Sequence, residues 1–407
     1  MNISTFRAFK SRNYRLYFSG QSVSLIGTWM QRTSVYWLVY VQTQSTFMLG
    51  VAVFTTQFHS FLFSLLGGVV SDRYNRYRVL LFTQIASMIQ ATLLTVLVMF
   101  NQYAVWEILM LNVLLGIINA FDVPARQAMV YEMVDDKEDL SNAIALNSSM
   151  VNLARLLGPA VAGIVLEKLG AGVCFLTNTL SFAAVILSLL LMRLPKYTPQ
   201  VHTKKVMGEL KEGYDYLKQT PSIGFIILFL ALISLLVLPF TTLLPVYAKV
   251  IFKGNASIFG YLNSAIGLGA VSGTIFLASL KPGVNLKKIL FINTLIFGIG
   301  LIAFSYMNNL PIALFFAVIT GFGMMSQVTV SNTIIQTTVS VAMRGRVISY
   351  FAMAFFGMQP LGGLLVGGVS SYIGTPNTIL AEGVLALLIA ILFSYVLRKE
   401  IFKRKEV

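Results

Sequence analysis

Residues 68–78 hold the densest chemistry in the chain: Gly68, one carboxylate at Asp72, then Arg73, Asn75, Arg76 and Arg78. An acid at a helix end followed by closely spaced cations forms charge-assisted hydrogen bonds and complements helix dipoles, so the segment reads as a latch between two helix ends. Asp122 lies four residues before Arg126, the spacing at which a carboxylate and a guanidinium meet on one helix face. That pair is expected in the same gate, with Arg344 and Arg346 supplying cations from the second half of the chain.

Proton transfer is a second chemistry open to this sequence. Glu382 and His59 stand inside apolar runs, where an ionisable group is costly and marks a functional position. Histidine titrates near neutral pH, and a carboxyl can take up and release a proton; a hydrogen-bonded structural role is the other reading for His59. Arg32 and Arg155 are likewise inside apolar runs, at a cost of about 2.5 to 3.5 kcal/mol each on insertion scales. Ser148, Asn152, Arg155 and Pro159 recur at helical spacing, a polar stripe expected to face a bundle interior. Positive charge on such a stripe suits an anionic or catechol-like substrate, and Asn112 and Gln327 add polar contacts. The alternative is that each arginine pairs with a carboxylate or carbonyl and serves packing alone. Gly158, Pro159 and Gly163 form a third cluster, where small residues admit a close neighbour and proline leaves a carbonyl unpaired.

Other chemistries lack their residues. A metal site needs several clustered Cys or His, and the chain has one cysteine, Cys174, and two distant histidines, His59 and His202. No nucleophile with a neighbouring base and no GxxxxGK[ST] phosphate loop occurs, so neither an enzyme nor an ATP-driven pump is expected. No cofactor is expected; the energy source would be the proton gradient.

The elements that position these residues follow from composition. Of 407 residues, 57% are hydrophobic and 11% charged, with a net charge of +15, against roughly a quarter charged in a soluble domain. The chain reads as twelve apolar runs, from 14–39 to 375–398, each long enough to cross a bilayer as a helix. They fall into an amino-terminal group of six, 1–193, and a carboxy-terminal group of six with a basic tail, 222–407. Between them lies a polar linker, 194–221, carrying an amphipathic helix. Pro159 of the fifth run is echoed by Pro360 of the eleventh, and two parallel six-helix repeats are a transporter architecture.

The positive balance could suggest a nucleic acid partner, but Lys and Arg are not gathered on one face of a soluble module. Only Lys168, Lys249 and Lys253 fall in one set of alternate loops, and Arg32 and Arg155 within runs; the rest occupy the other set with both termini. Cytoplasmic loops retain positive charge, so both termini are expected in the cytoplasm of a bacterial inner membrane. The basic start leads into a long span without cleavage-site residues, so no removable signal is expected. The expected partners are the bilayer and a small-molecule substrate, with no nucleic acid and no required protein partner, the chain acting as a monomer.

The order Gly68, Asp72, Arg73, Arg76, Arg78 resembles the signature loop between helices two and three of the major facilitator superfamily. The segment LARLLGPAVAG, with Gly158, Pro159 and Gly163, resembles the helix-five antiporter motif of its exporters. FRAFKSRNYRLYFSGQSVSLIGTWMQ near the start, FDVPARQAMVYEMV at 121–134, LSNAIALNSSMVNLARLLGP at 140–159 and AMRGRVIS at 342–349 are similar to the branch that includes the enterobactin exporter and macrolide-type efflux pumps. The resemblance implies an all-α membrane fold of twelve helices and a proton-coupled exporter of a small amphiphile, a siderophore or drug, working by alternating access; a lipid flippase of the same fold is the alternative. Two departures stand out. Asn75 occupies a position where the family usually has glycine, a change expected to be mild because Asn tolerates a left-handed turn. Asn112 stands where many proton-coupled relatives carry arginine.

Overall fold

A computed structural model describes residues 3–100, 103–194, 206–281 and 283–403 of the chain. The side chains of residues 3–5, 72, 206–207, 209–210, 341–342 and 396–403 lie outside the described set. Among the described residues the structure is helical throughout. The first six long helices are α1 Arg12–Thr43, α2 Thr46–Arg73, α3 Arg76–Met99, α4 Val105–Met133, α5 Leu140–Leu169 and α6 Ala171–Leu190. The linker helix α7 is Val206–Gln219, and α8 runs over Pro221–Ile251. Then follow α9 Ala256–Ala278, α10 Leu286–Ser305, α11 Leu310–Thr338, α12, and α13 Thr375–Lys403. Helix α12 is built of Val341–Ala352, a π-turn Met353–Gly357 and Met358–Ile373.

Eleven of these helices are long and apolar enough to cross a membrane. Helix α1 is the twelfth: at 32 residues it reaches about 48 Å at 1.5 Å per residue, beyond a hydrocarbon core of about 30 Å. It is less apolar than the others because its inner face is polar. Gln31 is the hub of that face: its Nε2 donates to Gln90 Oε1 of α3 at 3.0 Å, and its Oε1 accepts from Asn178 Nδ2 of α6 at 2.7 Å. Gln90 Nε2 in turn donates to the Leu111 carbonyl of α4 at 3.2 Å. Each amide thus finds a partner inside the helix bundle, which lets a polar helix stand in lipid.

Prolines explain the irregular helices. Pro239 and Pro245 lack the N–H that an α-helix needs, and α8 passes there through a 3-10 segment, Leu238–Leu243; a π-turn, Tyr247–Ile251, follows. In α12 the π-turn immediately precedes Pro360 by less than one turn, where the proline leaves a carbonyl without its helical donor.

Packing divides the chain into two units. The first contains Met1–Gln44, Thr55–His202 and Gly254–Ser264; the second contains Ser45–Phe54, Thr203–Lys253 and Ala265–Val407. The start of α2 therefore packs with the second unit and the start of α9 with the first. In the first unit that piece of α9 lies on α5, where the carbonyl of Pro159 stands 2.4 Å from the place a Cβ on Gly260 would take. In the second unit the start of α2 lies on α12, where the carbonyl of Gly363 is 2.4 Å from the place of a Cβ on Gly50, and Thr46 Oγ1 donates to the Gly367 carbonyl at 2.8 Å. Each unit thus contains one seam of small residues, the fifth crossing on the eighth in the first unit and the eleventh on the second in the second.

Candidate functional site

The residues expected to form a gate lie around the ends of α2, α3 and α4. Asp122 of α4 is buried and fully engaged: Arg126 Nη2 lies 3.2 Å from its Oδ2, while Thr83 Oγ1 and Gln84 Nε2 of α3 donate to its Oδ1 at 2.9 and 2.6 Å. One carboxylate thereby ties α3 to α4 and holds the guanidinium that its spacing anticipates. Arg76, at the start of α3, reaches Glu132 Oε1 near the end of α4 at 3.1 Å and donates from Nε to the Ser71 carbonyl of α2 at 3.3 Å. Arg73 and Arg78 are exposed. The Asp72 side chain lies outside the described residues.

Asn75 corrects an expectation. Its φ of −61° is not left-handed. It is the N-cap of α3, and its side-chain oxygen accepts the Arg78 N–H at 3.2 Å. An asparagine at this place satisfies a helix-end donor that a glycine would leave to water. The glycine that brings α2 onto α4 is Gly67, whose added Cβ would lie 1.8 Å from the Ala120 carbonyl oxygen, whereas a Cβ on Gly68 would meet nothing within 4 Å. In the second unit, Arg346 Nη2 is 2.7 Å from Glu212 Oε2 on the linker helix α7. The Nε of Arg344 is buried without a hydrogen-bond partner.

The α5 cluster positions a tryptophan as well as a helix. A Cβ on Gly158 would lie 2.4 Å from Trp29 Cβ, so the missing side chain gives Trp29 of α1 its seat against α5. A Cβ on Gly163 would lie 2.7 Å from the Ala256 carbonyl, which lets α9 close on the other side. Around Trp29 two cations converge. Arg32 Cζ is 5.2 Å and Arg155 Cζ 6.0 Å from its ring centroid, both within cation–π range. Arg32 also donates from Nε to the Tyr36 hydroxyl at 3.2 Å. All four side chains are half-buried. Beyond this cluster along α1, Trp37 stacks on Phe259 of α9, with centroids 6.1 Å apart.

The remaining candidates are placed separately. Ser148 is exposed and bonds its own helix at the Ile144 carbonyl; Asn152 is half-buried. His59 Nδ1 lies 3.1 Å from the Thr55 carbonyl, and its ring meets Phe58 edge-on. Asn112 is buried, with Nδ2 lacking a partner. In the second unit Glu382 and Gln327 are buried, and neither carboxylate oxygen of the first nor either amide atom of the second has a hydrogen-bond partner. Phe355 packs with Phe351 against Leu230, Val328 and Ala354 in the helix core.

Sequence reasoning missed Glu132, Glu212, Gly67 and the Gln31 network. It also missed Trp29 and Tyr36 as companions of Arg32, although Trp29, Arg32 and Tyr36 stand three and four residues apart and so share a helix face.

Comparison with known proteins agrees with this architecture. The sequence profile of the transmembrane secretion effector family matches residues 3–406. The staphyloferrin A transporter of Staphylococcus aureus is 28% identical, over 96% of this chain and 98% of that protein. The enterobactin exporter EntS of Escherichia coli is 25% identical over 94% of this chain and 91% of its own length. Macrolide efflux protein A of Streptococcus pyogenes is 23% identical over 94% and 96%. Among solved structures, a bacterial homologue of the human lysosomal transporter Spinster superposes with a TM-score of 0.77 at 14% identity, covering 96% of this chain and 98% of that one.

Proposed function

We propose that this chain, which belongs to the transmembrane secretion effector family of the major facilitator superfamily, is a proton-coupled exporter of a small amphiphilic molecule of the siderophore or drug kind. The observation that carries the reading is the duplicated small-residue seam, α5 on α9 and α12 on α2. A seam of glycines closes tightly without interlocking side chains, so it can also part. Two equivalent seams give two six-helix repeats, 1–193 and 222–407, a surface on which to pivot and expose one binding site to each side in turn. Likeness to exporters over nearly the whole chain supports the outward direction. The loop charges favour termini in the cytoplasm of a bacterial inner membrane.

The energetics are of the order of one proton. Expelling a solute against a hundredfold gradient costs about 2.7 kcal/mol, at about 1.4 kcal/mol per decade, and one charge falling through 100 mV releases about 2.3 kcal/mol. Glu382 is the leading proton carrier: a buried carboxyl without a hydrogen-bond partner is a place for a mobile proton, while His59 already holds a backbone carbonyl. The test is uphill transport into inside-out vesicles with erythromycin and enterobactin as probes. A protonophore is expected to abolish accumulation, and Glu382→Gln to abolish it while sparing downhill exchange. Accumulation that survives collapse of the gradient refutes proton coupling.

A further inference from the structure

The segment before α1 is firmly docked, and what it leaves uncovered fits one kind of partner. Ile3–Lys10 is a short 3-10 segment. Ala8 is fully buried, its N–H donates to Asn142 Oδ1 of α5 at 3.0 Å, and Arg7 Nε lies 3.3 Å from Asp139 Oδ1. Ser11 Oγ accepts the Asp135 N–H at 2.9 Å, which ties the segment to the connection between α4 and α5. Phe9 packs with Tyr14 and Phe18 into the core at that end of the helices. Beyond α6, a reciprocal pair brings Arg193 to the start of α1: Asn13 Nδ2 donates to its carbonyl at 2.9 Å, and its N–H donates to Asn13 Oδ1 at 3.0 Å.

The face left outside carries one sign of charge. Lys10, Arg12, Arg15 and Arg193 are exposed, and among the described residues none of their side chains takes part in an ion pair or hydrogen bond. Arg12 opens α1 and Arg15 follows three residues on; the helix dipole disfavours cations there, and the first turn holds no acid to offset them. Phe6, stacked on Phe9 with centroids 5.9 Å apart, is 52% exposed, and a phenyl ring gains nothing from water. Retention of cations in loops explains their sign, but neither the bare ring nor the pairing that adds Arg193 to the other three. The apolar span of α6 ends at Leu190, so Arg193 stands three residues beyond it, at the level of lipid headgroups. At that level a ring and a basic cluster beside a spanning helix suit acidic headgroups.

We propose that Phe6, Lys10, Arg12, Arg15 and Arg193 form a binding surface for anionic phospholipid, with the cations on the headgroup phosphate and the ring against the acyl boundary. The surface rests on the membrane fold and holds whatever the chain carries.

Full-length protein in detergent micelles is titrated with dioleoylphosphatidylglycerol or, as the zwitterionic control, dioleoylphosphatidylcholine, and the lipid-bound species are counted by native mass spectrometry. Phosphatidylglycerol is expected to bind at least about tenfold more tightly than phosphatidylcholine, because each cation near an anionic surface is worth roughly fivefold. On the same scale, Arg12→Gln with Arg193→Gln is expected to weaken phosphatidylglycerol by about tenfold or more. Lys281→Gln with Lys288→Gln removes two charges from exposed positions in the second unit and is expected to change that affinity little. Equal affinity for the two lipids, or an equal loss in the two double variants, would overturn the proposal. So would displacement of phosphatidylglycerol by inorganic phosphate at constant ionic strength, which would make a free anion the occupant. Should the Arg12 and Arg193 double variant not fold, Arg15→Gln decides: weaker phosphatidylglycerol binding supports the surface, and unchanged binding overturns it.

Discussion

Gly67→Ala and Gly68→Ala, one position apart, are expected to separate folding from transport. In Gly67→Ala the new methyl meets the Ala120 carbonyl oxygen at 1.8 Å and the Phe121 Cα at 3.1 Å, both backbone atoms of α4. Backbone cannot rotate away as a side chain can, so α2 and α4 must separate, at about 3 kcal/mol or more. The expected outcome is a sharply reduced yield of monodisperse protein and a large fall in melting temperature by fluorescence-detected size exclusion. Gly68→Ala meets nothing within 4 Å and removes a flexible residue from a helix, worth roughly 0.5–1 kcal/mol in favour of folding. It is expected to express normally yet transport poorly if Gly68, near the end of α2, serves the proposed gate. A folded Gly67→Ala, or a Gly68→Ala that is lost before it reaches the membrane, would contradict this division.

Asp122→Ala is expected to be the most damaging change among the side chains of the proposed gate. The carboxylate is 4% exposed and Arg126 20%, so removing the first strands a largely buried guanidinium together with the Thr83 and Gln84 donors. Truncating one partner of a buried ion pair costs about 3–5 kcal/mol, and the partial exposure of Arg126 places this case at the lower end. Asp122→Asn keeps an acceptor for α3 and is expected to lose less. Thermal unfolding in detergent ranks the two, and equal stability of Asp122→Ala and the parent would show that the α3–α4 tie is not structural.

Much of this was legible before the structure. Twelve apolar runs and their two groups follow from composition and length, because hydrocarbon leaves a chain few alternatives to helices. Asp122 with Arg126 was legible because four residues is one turn. What was not legible depends on partners distant in sequence. Arg76 finds Glu132 across 56 positions, and Arg346 finds Glu212 on the linker helix; no local spacing announces either. Gly67 and Gly68 look alike in sequence but point about 100° apart around a helix, and only the place of α4 decides which one must be bare. Asn75 was read through the turn that a glycine would make, whereas it caps α3. Arg32 and Arg155 each stood out as intramembrane charges, but their meeting at Trp29 needed the α1–α5 contact that Gly158 permits.

The account depends most on the claim that the α9 end of the chain's second half must part from the first half in each transport cycle. Trp37 on α1 and Phe259 on α9, stacked with centroids 6.1 Å apart, offer a lock for that movement. Trp37→Cys with Phe259→Cys, in a chain whose single native cysteine, Cys174, is buried and replaced by serine, is oxidised to the cross-linked form and assayed for uphill export of erythromycin and enterobactin. The account predicts that cross-linking stops transport and that a reductant restores it. Undiminished export by fully cross-linked protein would contradict it.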